Sequence, residues 1–196
     1  MERAMGTAMC AACGRRSATE SEPAGYHFKE CGLTGMTLRS GVVESSCSRC
    51  GESCVRIEKV GQLLQVIAVT LLTSPSQLLG PELRYLRHSC ELSQQQLAKI
   101  LHCRRATVAE REAEGQSRSS EAEQVWIRLV LQREFRKYLE RWPDRNFLSR
   151  SHLDRLDAFE REFSRRALEL ARRAIRLHAH ELRLTADGTW EAAAAA

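Results

Sequence analysis

The spacing of apolar positions changes several times along the chain, and each change marks a different element. Residues 14–25 (GRRSATESEPAG) are polar and rich in turn formers, and read as a loop. Tyr26–Leu33, Met36–Arg39 and Val42–Ser45 are short strand-like runs interrupted by Gly35 and Gly41. Val55–Thr73 reads as a helix. Its apolar centre, Leu63–Leu72 (LLQVIAVTLL), is too short to cross a bilayer and fits a buried helix. Ser74-Pro75-Ser76 and Gly80-Pro81 then punctuate the chain.

From Pro81 to Glu112 the period becomes that of short amphipathic helices. Pro81 suits a first helical position, and Leu83, Tyr85 and Leu86 supply the apolar face up to His88. Ser93-Gln94-Gln95-Gln96 has the form of a capping box, followed by Leu97, Ala98, Ile100 and Leu101 as the buried side. A break at His102-Cys103 precedes a helix over Arg104–Glu112. A long helix is expected over about Ser120–Glu140, with Trp126, Leu129, Val130 and Phe135 as its apolar positions, ended by Trp142-Pro143-Asp144. Over residues 149–183, Leu156, Phe163, Leu170 and Leu177 recur every seven residues beside Leu153, Ala167 and Ala174, with Glu160 as an interruption. Such a stripe fits either a helix packed on its own domain or a dimer helix. Ala192–Ala196 is low in complexity and suits a frayed end.

Composition adds bounds rather than identity. The 196 residues are 43% hydrophobic and 28% charged, ordinary for a globular chain of one or two domains. The formal charge of +5 is spread thinly, compatible with nucleic-acid binding without demanding it. Met1–Met9 lacks the apolar core of a signal peptide, so the expected location is the cytoplasm, with no membrane association.

Eight cysteines change the picture. Cys10-Ala-Ala-Cys13-Gly14 and Cys47-Ser-Arg-Cys50-Gly51 are two C-x-x-C-G knuckles. Each places two sulfurs of one turn within reach of one metal ion, and the following glycine permits a backbone that aims N–H groups at sulfur. The pattern predicts one structural Zn²⁺ held by Cys10, Cys13, Cys47 and Cys50. Four thiolates would leave no open position for a substrate, which argues against a zinc enzyme, and they would lower the charge to about +3. Disulfides or unpaired thiols are the alternatives; a reducing cytoplasm disfavours the first. The intervening 33 residues exceed usual zinc-ribbon spacing. Cys31, Cys54, Cys90 and Cys103 read as small buried hydrophobes, with Cys31 or Cys54 as a substitute ligand.

Ser93–Glu112 (SQQQLAKILHCRRATVAERE) resembles a helix-turn-helix of the phage-repressor class. Ala98 is small where two helices would cross, His102 stands at the turn and Val108 would anchor the second helix. Such a unit sets the start of its second helix into the major groove. Arg105 would pair with guanine and Arg104 accompany it, and Thr107 would reach phosphate or a thymine methyl. Gln94 would reach a phosphate, and Glu110 would read cytosine or repel phosphate. His102 stands where glycine is usual. Arg111 stands where an apolar residue is usual, and would need a carboxylate such as Glu112 or Glu114.

The order of these parts resembles the MqsA-type antitoxins, also described as YgiT-type zinc-finger proteins. It comprises a first knuckle, Glu30-Cys31-Gly32-Leu33, a second knuckle, a connecting helix, Glu82-Leu83-Arg84-Tyr85-Leu86-Arg87 and the helix-turn-helix. The similarity covers roughly Cys10–Gly115. It implies a homodimeric regulator of a type II toxin–antitoxin operon. The zinc module would hold a ribonuclease toxin, and the helix-turn-helix would bind a palindromic double-stranded DNA operator. The family's base-reading asparagine and arginine fall on Ala106 and Glu110, so that contact pair is absent.

The expected fold is therefore α+β. A zinc-binding β module (1–54) precedes a linking helix (55–79), a helix-turn-helix domain (80–118) and a C-terminal helical extension (119–196) suited to dimerisation. The competing reading is a zinc-stabilised interaction adaptor whose helix-turn-helix no longer binds DNA.

Overall fold

A computed structural model describes residues 3–74, 76–113, 119–180, 182–184 and 190–192. It is mixed α+β and divides into two compact units, 1–67 and 68–196, with the boundary inside a helix.

The first unit is built on a four-stranded antiparallel sheet in the order β1-β2-β5-β6, from Arg3–Ala8, Ala18–Glu22, Val42–Cys47 and Ser53–Ile57. A two-stranded excursion, β3 (Tyr26–His27) and β4 (Thr37–Leu38), sits between β2 and β5 in sequence. Three expectations are corrected here. Part of the presumed loop 14–25 is β2, because main-chain ladders need no apolar side chains: Thr19, Glu20 and Ser21 pair with Ser46, Ser45 and Glu44. The run Tyr26–Leu33 is strand only at its first two residues. It then turns through a short 3-10 segment, Lys29–Cys31, which Gly32 ends at φ 72°. The helix expected from Val55 begins at Val60, since Ser53–Ile57 continues the sheet and Lys59, at φ 46°, breaks the chain between them.

This sheet is thinly supported. Among the described residues, Cys10, Ala18 and Cys47 pack together with Ala8 and Cys13 at their border, and Phe28, Leu33, Val42 and Val43 are also buried. Edge strand β6 is exposed at Ser53, Cys54, Val55 and Arg56. A small layer gains from a cross-link, and the cysteine cluster joins the turn after β1 to the end of β5.

Helix α1 (Val60–Thr73) crosses the boundary between the units, and its second half belongs to the core of the second. There Ala68, Val69 and Leu72 pack with Leu83, Leu86, Leu97, Val108, Leu131, Phe135 and Leu156. These residues come from α2 (Gly80–Ser89), α3 (Gln94–Ile100), α4 (Arg105–Ala113), α5 (Glu121–Arg141) and α6 (Arg150–His180). The buried guanidinium of Arg128 donates from Nη1 to the carbonyls of Leu71 (2.6 Å) and Leu72 (3.2 Å), and from Nη2 to that of Ser76. It thereby caps the negative end of α1.

Helix starts follow their capping signals. Ser93 Oγ accepts from the Gln96 amide at 3.2 Å, and the Gln96 side chain accepts from the Ser93 amide at 2.8 Å. Ser120 and Glu123 repeat the device for α5. In α5, Val130 and Phe135 are buried as expected, but Trp126 is 50% exposed and Leu129 only partly buried. The core side of α5 is instead filled by Val125, Ile127, Leu131 and Leu139, with Gln124, Arg128 and Gln132 buried among them.

The first part of the C-terminal seam is used within the chain. Leu156 is fully buried, Leu153 packs against the core, and Phe163 stacks on Phe159 with centroids 3.8 Å apart. Gln132 Nε2 donates to the Leu156 carbonyl at 2.7 Å, and the Glu160 carboxylate lies 3.2 Å from Arg136 Nε as an ion pair. The interruption at Glu160 is thus an ion pair with α5. The seam positions Ala167, Leu170, Ala174 and Leu177 lie outside the described side chains. The helix ends at His180 rather than 183, and Leu182–Leu184 (β7) pairs with Trp190–Ala192 (β8). Residues 193–196 lie outside the described set. Among the described residues, no helix is long and apolar enough to cross a membrane.

Candidate metal centre and nucleic-acid interface

The two knuckles fold as matching turns. Gly14 N–H donates to the Cys10 carbonyl and Gly51 N–H to the Cys47 carbonyl, both at 2.9 Å. Both glycines have positive φ, 67° and 72°, a conformation that favours glycine. Pairing of Ala18 with Cys47 and donation from Ser48 N–H to the Ser17 carbonyl (3.1 Å) hold the turns side by side.

This brings together four residues far apart in sequence. Cys10 Sγ lies 3.6 Å from Cys50 Sγ, Cys13 Sγ lies 3.8 Å from Cys47 Sγ, and all four sulfurs lie within 4.8 Å of one another. A tetrahedron with metal–sulfur bonds of about 2.3 Å has sulfur–sulfur edges of about 3.8 Å. The cluster can therefore hold a metal ion and is compatible with zinc. Cys31 and Cys54 do not join it. Cys31 Sγ donates to the Phe28 carbonyl at 3.0 Å, and Cys54 is exposed beside Ser45 Oγ at 3.3 Å. Exposure of Cys54 also corrects its reading as a buried hydrophobe. Cys90 fits that reading: burial, with the charge of Glu134, pushes its thiol up to about 12. Cys103 is partly buried against the helical core.

The four thiols are not equivalent. The Ser17 hydroxyl, 3.0 Å from Cys47 Sγ, and the amides of Cys50 and Arg49 draw the Cys47 thiol down to about 6. At Cys50 the Glu52 amide acts in the same direction. The neighbouring thiols of Cys47, Cys10 and Cys13, with burial, oppose it and push Cys50 up to about 12. Ser17 was not singled out in the sequence. Its signal is weak, a hydroxyl four residues beyond a knuckle's second cysteine.

In the second unit, α3 and α4 are joined by a tight turn. His102 sits at φ 53°, and Cys103 N–H donates to the Ala98 carbonyl at 2.9 Å while His102 N–H donates to that of Lys99 at 3.3 Å. This is a Schellman closure with histidine in the left-handed position. Ala98 and Val108 are buried. Arg104 and Arg105, at the start of α4, are exposed and form no ion pair with a described residue. Thr107 is half-buried and Glu110 exposed.

Two expected partnerships differ. The Gln94 side chain donates from Nε2 to Glu112 Oε2 at 2.9 Å, so this amide is turned to the protein. Arg111 pairs with Glu123 at 2.8 Å rather than with Glu112, and Glu114 lies outside the described residues. Glu112 is 2% exposed and receives Arg87 Nε at 2.5 Å and Nη2 at 3.0 Å, with Arg84 at 3.8 Å. Burial raises its carboxyl, but hydrogen bonds from Arg87 and Gln94 and the charges of Arg87 and Arg84 outweigh burial and hold it below the ordinary value. The signal for this pair was present: Glu112 follows Val108 by four residues, and Arg87 follows Leu83 by four, each in core phase on its helix.

Comparison with known proteins adds no relative: no family model, no curated protein and no solved structure matches the chain.

Proposed function

We propose that this protein is a zinc-containing, sequence-specific DNA-binding regulator of transcription, acting as a cytoplasmic homodimer on a double-stranded DNA operator. The observation that carries the reading is the α3–turn–α4 unit. Its second helix begins with two exposed arginines free of described ion pairs, and its turn is closed by His102 in the conformation such a turn requires. The zinc role rests on the sulfur cluster, two of whose edges, 3.6 and 3.8 Å, suit a closed tetrathiolate; this favours a binding module over an enzyme. The finer role, an antitoxin that neutralises a ribonuclease and represses its own operon, rests on the order of motifs alone.

A reporter gene under the protein's own upstream region tests this reading. Expression of the intact chain should repress it, and Arg105→Ala should restore most of the signal. Equal reporter output with and without the protein would overturn it. For the antitoxin role, a small ribonuclease encoded next door should co-purify with the protein.

The second reading, an interaction adaptor that no longer binds DNA, is favoured by two specifics. Glu110 places a carboxylate on the exposed face of α4, and the Gln94 amide is engaged by Glu112.

A further inference from the structure

Arg128 carries a charge that its surroundings do not cancel. It is 2% exposed, yet it forms no ion pair with a described carboxylate. Its bonds to the carbonyls of Leu71, Leu72 and Ser76 engage at most three of its five N–H donors. Nε–H and at least one other N–H are left without a described partner. Burial lowers its pKa from the ordinary arginine value, and the charge of Glu82 opposes this.

Beside this guanidinium lies a cavity of about 290 Å³ within the second unit. Val125, buried, and Phe163, half-buried with its ring stacked on Phe159, give it an apolar wall. Glu121 and Arg166, joined as an ion pair and both more than half exposed, form its solvent side. The charged groups of the lining are thus Arg128, Arg166 and Glu121, with one positive charge in excess.

A buried guanidinium is stabilised by a carboxylate, which it meets through charge-assisted N–H···O bonds. The exposed Glu121–Arg166 pair is of the weak kind, so an incoming carboxylate can take over Arg166. A dianion such as phosphate would exceed the one unmatched charge and leave the apolar wall uncovered. The volume is at the small end of ligand pockets. We infer that this cavity binds a small organic monocarboxylate, its head on Arg128 and Arg166 and its apolar body against Val125 and Phe163. The site stands independently of DNA binding.

Calorimetric titration of the full-length protein with benzoate tests this, with acetate as a probe that has the head alone. Benzoate should bind saturably, one per chain, and tighter than acetate. Glu121→Gln removes the competing carboxylate and should tighten benzoate by about two- to fivefold. Arg166→Gln should weaken it by about tenfold or more. Both changes are at exposed positions, and circular dichroism should match the parent. Damage to the fold would weaken binding in both variants, so the opposite signs report direct contact. In ¹⁵N NMR the Arg128 Nε–H signal, assigned by its loss in Arg128→Lys, should shift as benzoate is added. Heat of dilution alone, affinity altered by neither change, or an Arg128 signal that stays fixed while benzoate binds would each overturn the inference.

Discussion

Arg87 and Glu112, 25 residues apart, meet in the interior of the second unit through two hydrogen bonds of 2.5 and 3.0 Å. The pair ties the end of α4 to α2. The Gln94 amide at 2.9 Å extends the tie to the start of α3, and Arg87 Nη1 donates to the Leu92 carbonyl at 2.7 Å in the loop between. One carboxylate therefore fixes three helices, including the one proposed to enter DNA.

Removing that carboxylate leaves a buried guanidinium without its partner. Glu112→Ala should lower unfolding stability by about 3–5 kcal/mol, measured by urea denaturation. A loss under 1 kcal/mol would mean that the pair is solvated. The pH dependence has a definite sign. The folded-state pKa of Glu112 is depressed, so its contribution is complete above the ordinary carboxylate value of 4.5 and is lost as pH falls through the folded value. Parent and Glu112→Ala stabilities should converge with acidification below about pH 4.5; a constant gap down to pH 2 would contradict this.

The proposed metal centre gives its own pH signature. Metal analysis should find one zinc per chain, lost when Cys47 and Cys50 are both changed to serine. Zinc binding should displace protons, since the Cys50 thiol is held up and must ionise to bind, whereas the Cys47 thiol is drawn down and gives up its proton more readily. Affinity should fall as pH falls, and more steeply below pH 6, where Cys47 must also give up a proton. Calorimetry in buffers of different ionisation enthalpy counts these protons. A count that does not change across pH 6 would place the low thiol elsewhere.

Ser17→Ala isolates the hydroxyl's effect. In metal-free protein the Cys47 thiol should shift upward toward the ordinary cysteine value of 9.0, so alkylation at pH 7 slows. Unchanged alkylation kinetics would assign the activation to the Cys50 and Arg49 amides alone.

His102 holds a left-handed conformation at φ 53° that β-branched residues resist. His102→Val should be less stable than His102→Gly by about 1–2 kcal/mol in thermal or urea unfolding. Equal stabilities would show that the turn relaxes.

Most of the helical unit was legible because its signals are local. Pro81, the Ser93–Gln96 box, the Ser120 cap and the Trp142-Pro143 stop each name a helix end in a few residues. The knuckles were legible for the same reason, since spacing and glycine suffice. Strand β2 was not, because Ala18–Glu22 has no apolar alternation and pairs through its backbone with residues 44–47. Strand β6 was hidden by its continuity with the apolar run that follows; only the turn at Lys59 separates them. The Arg87–Glu112 pair is hard to read from sequence because charged residues in core phase look like errors of pattern until a partner is seen. Trp126 misleads for the converse reason, an aromatic on the outward side of a helix whose inner face holds Gln124, Arg128 and Gln132.

The most direct test of the central claim is the salt dependence of binding to the chain's own upstream DNA, set against a random duplex of equal length. Fluorescence anisotropy from 50 to 300 mM salt should show both affinities falling linearly on logarithmic axes. The upstream site should remain at least about a thousandfold tighter near physiological salt. Equal affinities for the two duplexes at every salt concentration would contradict the account.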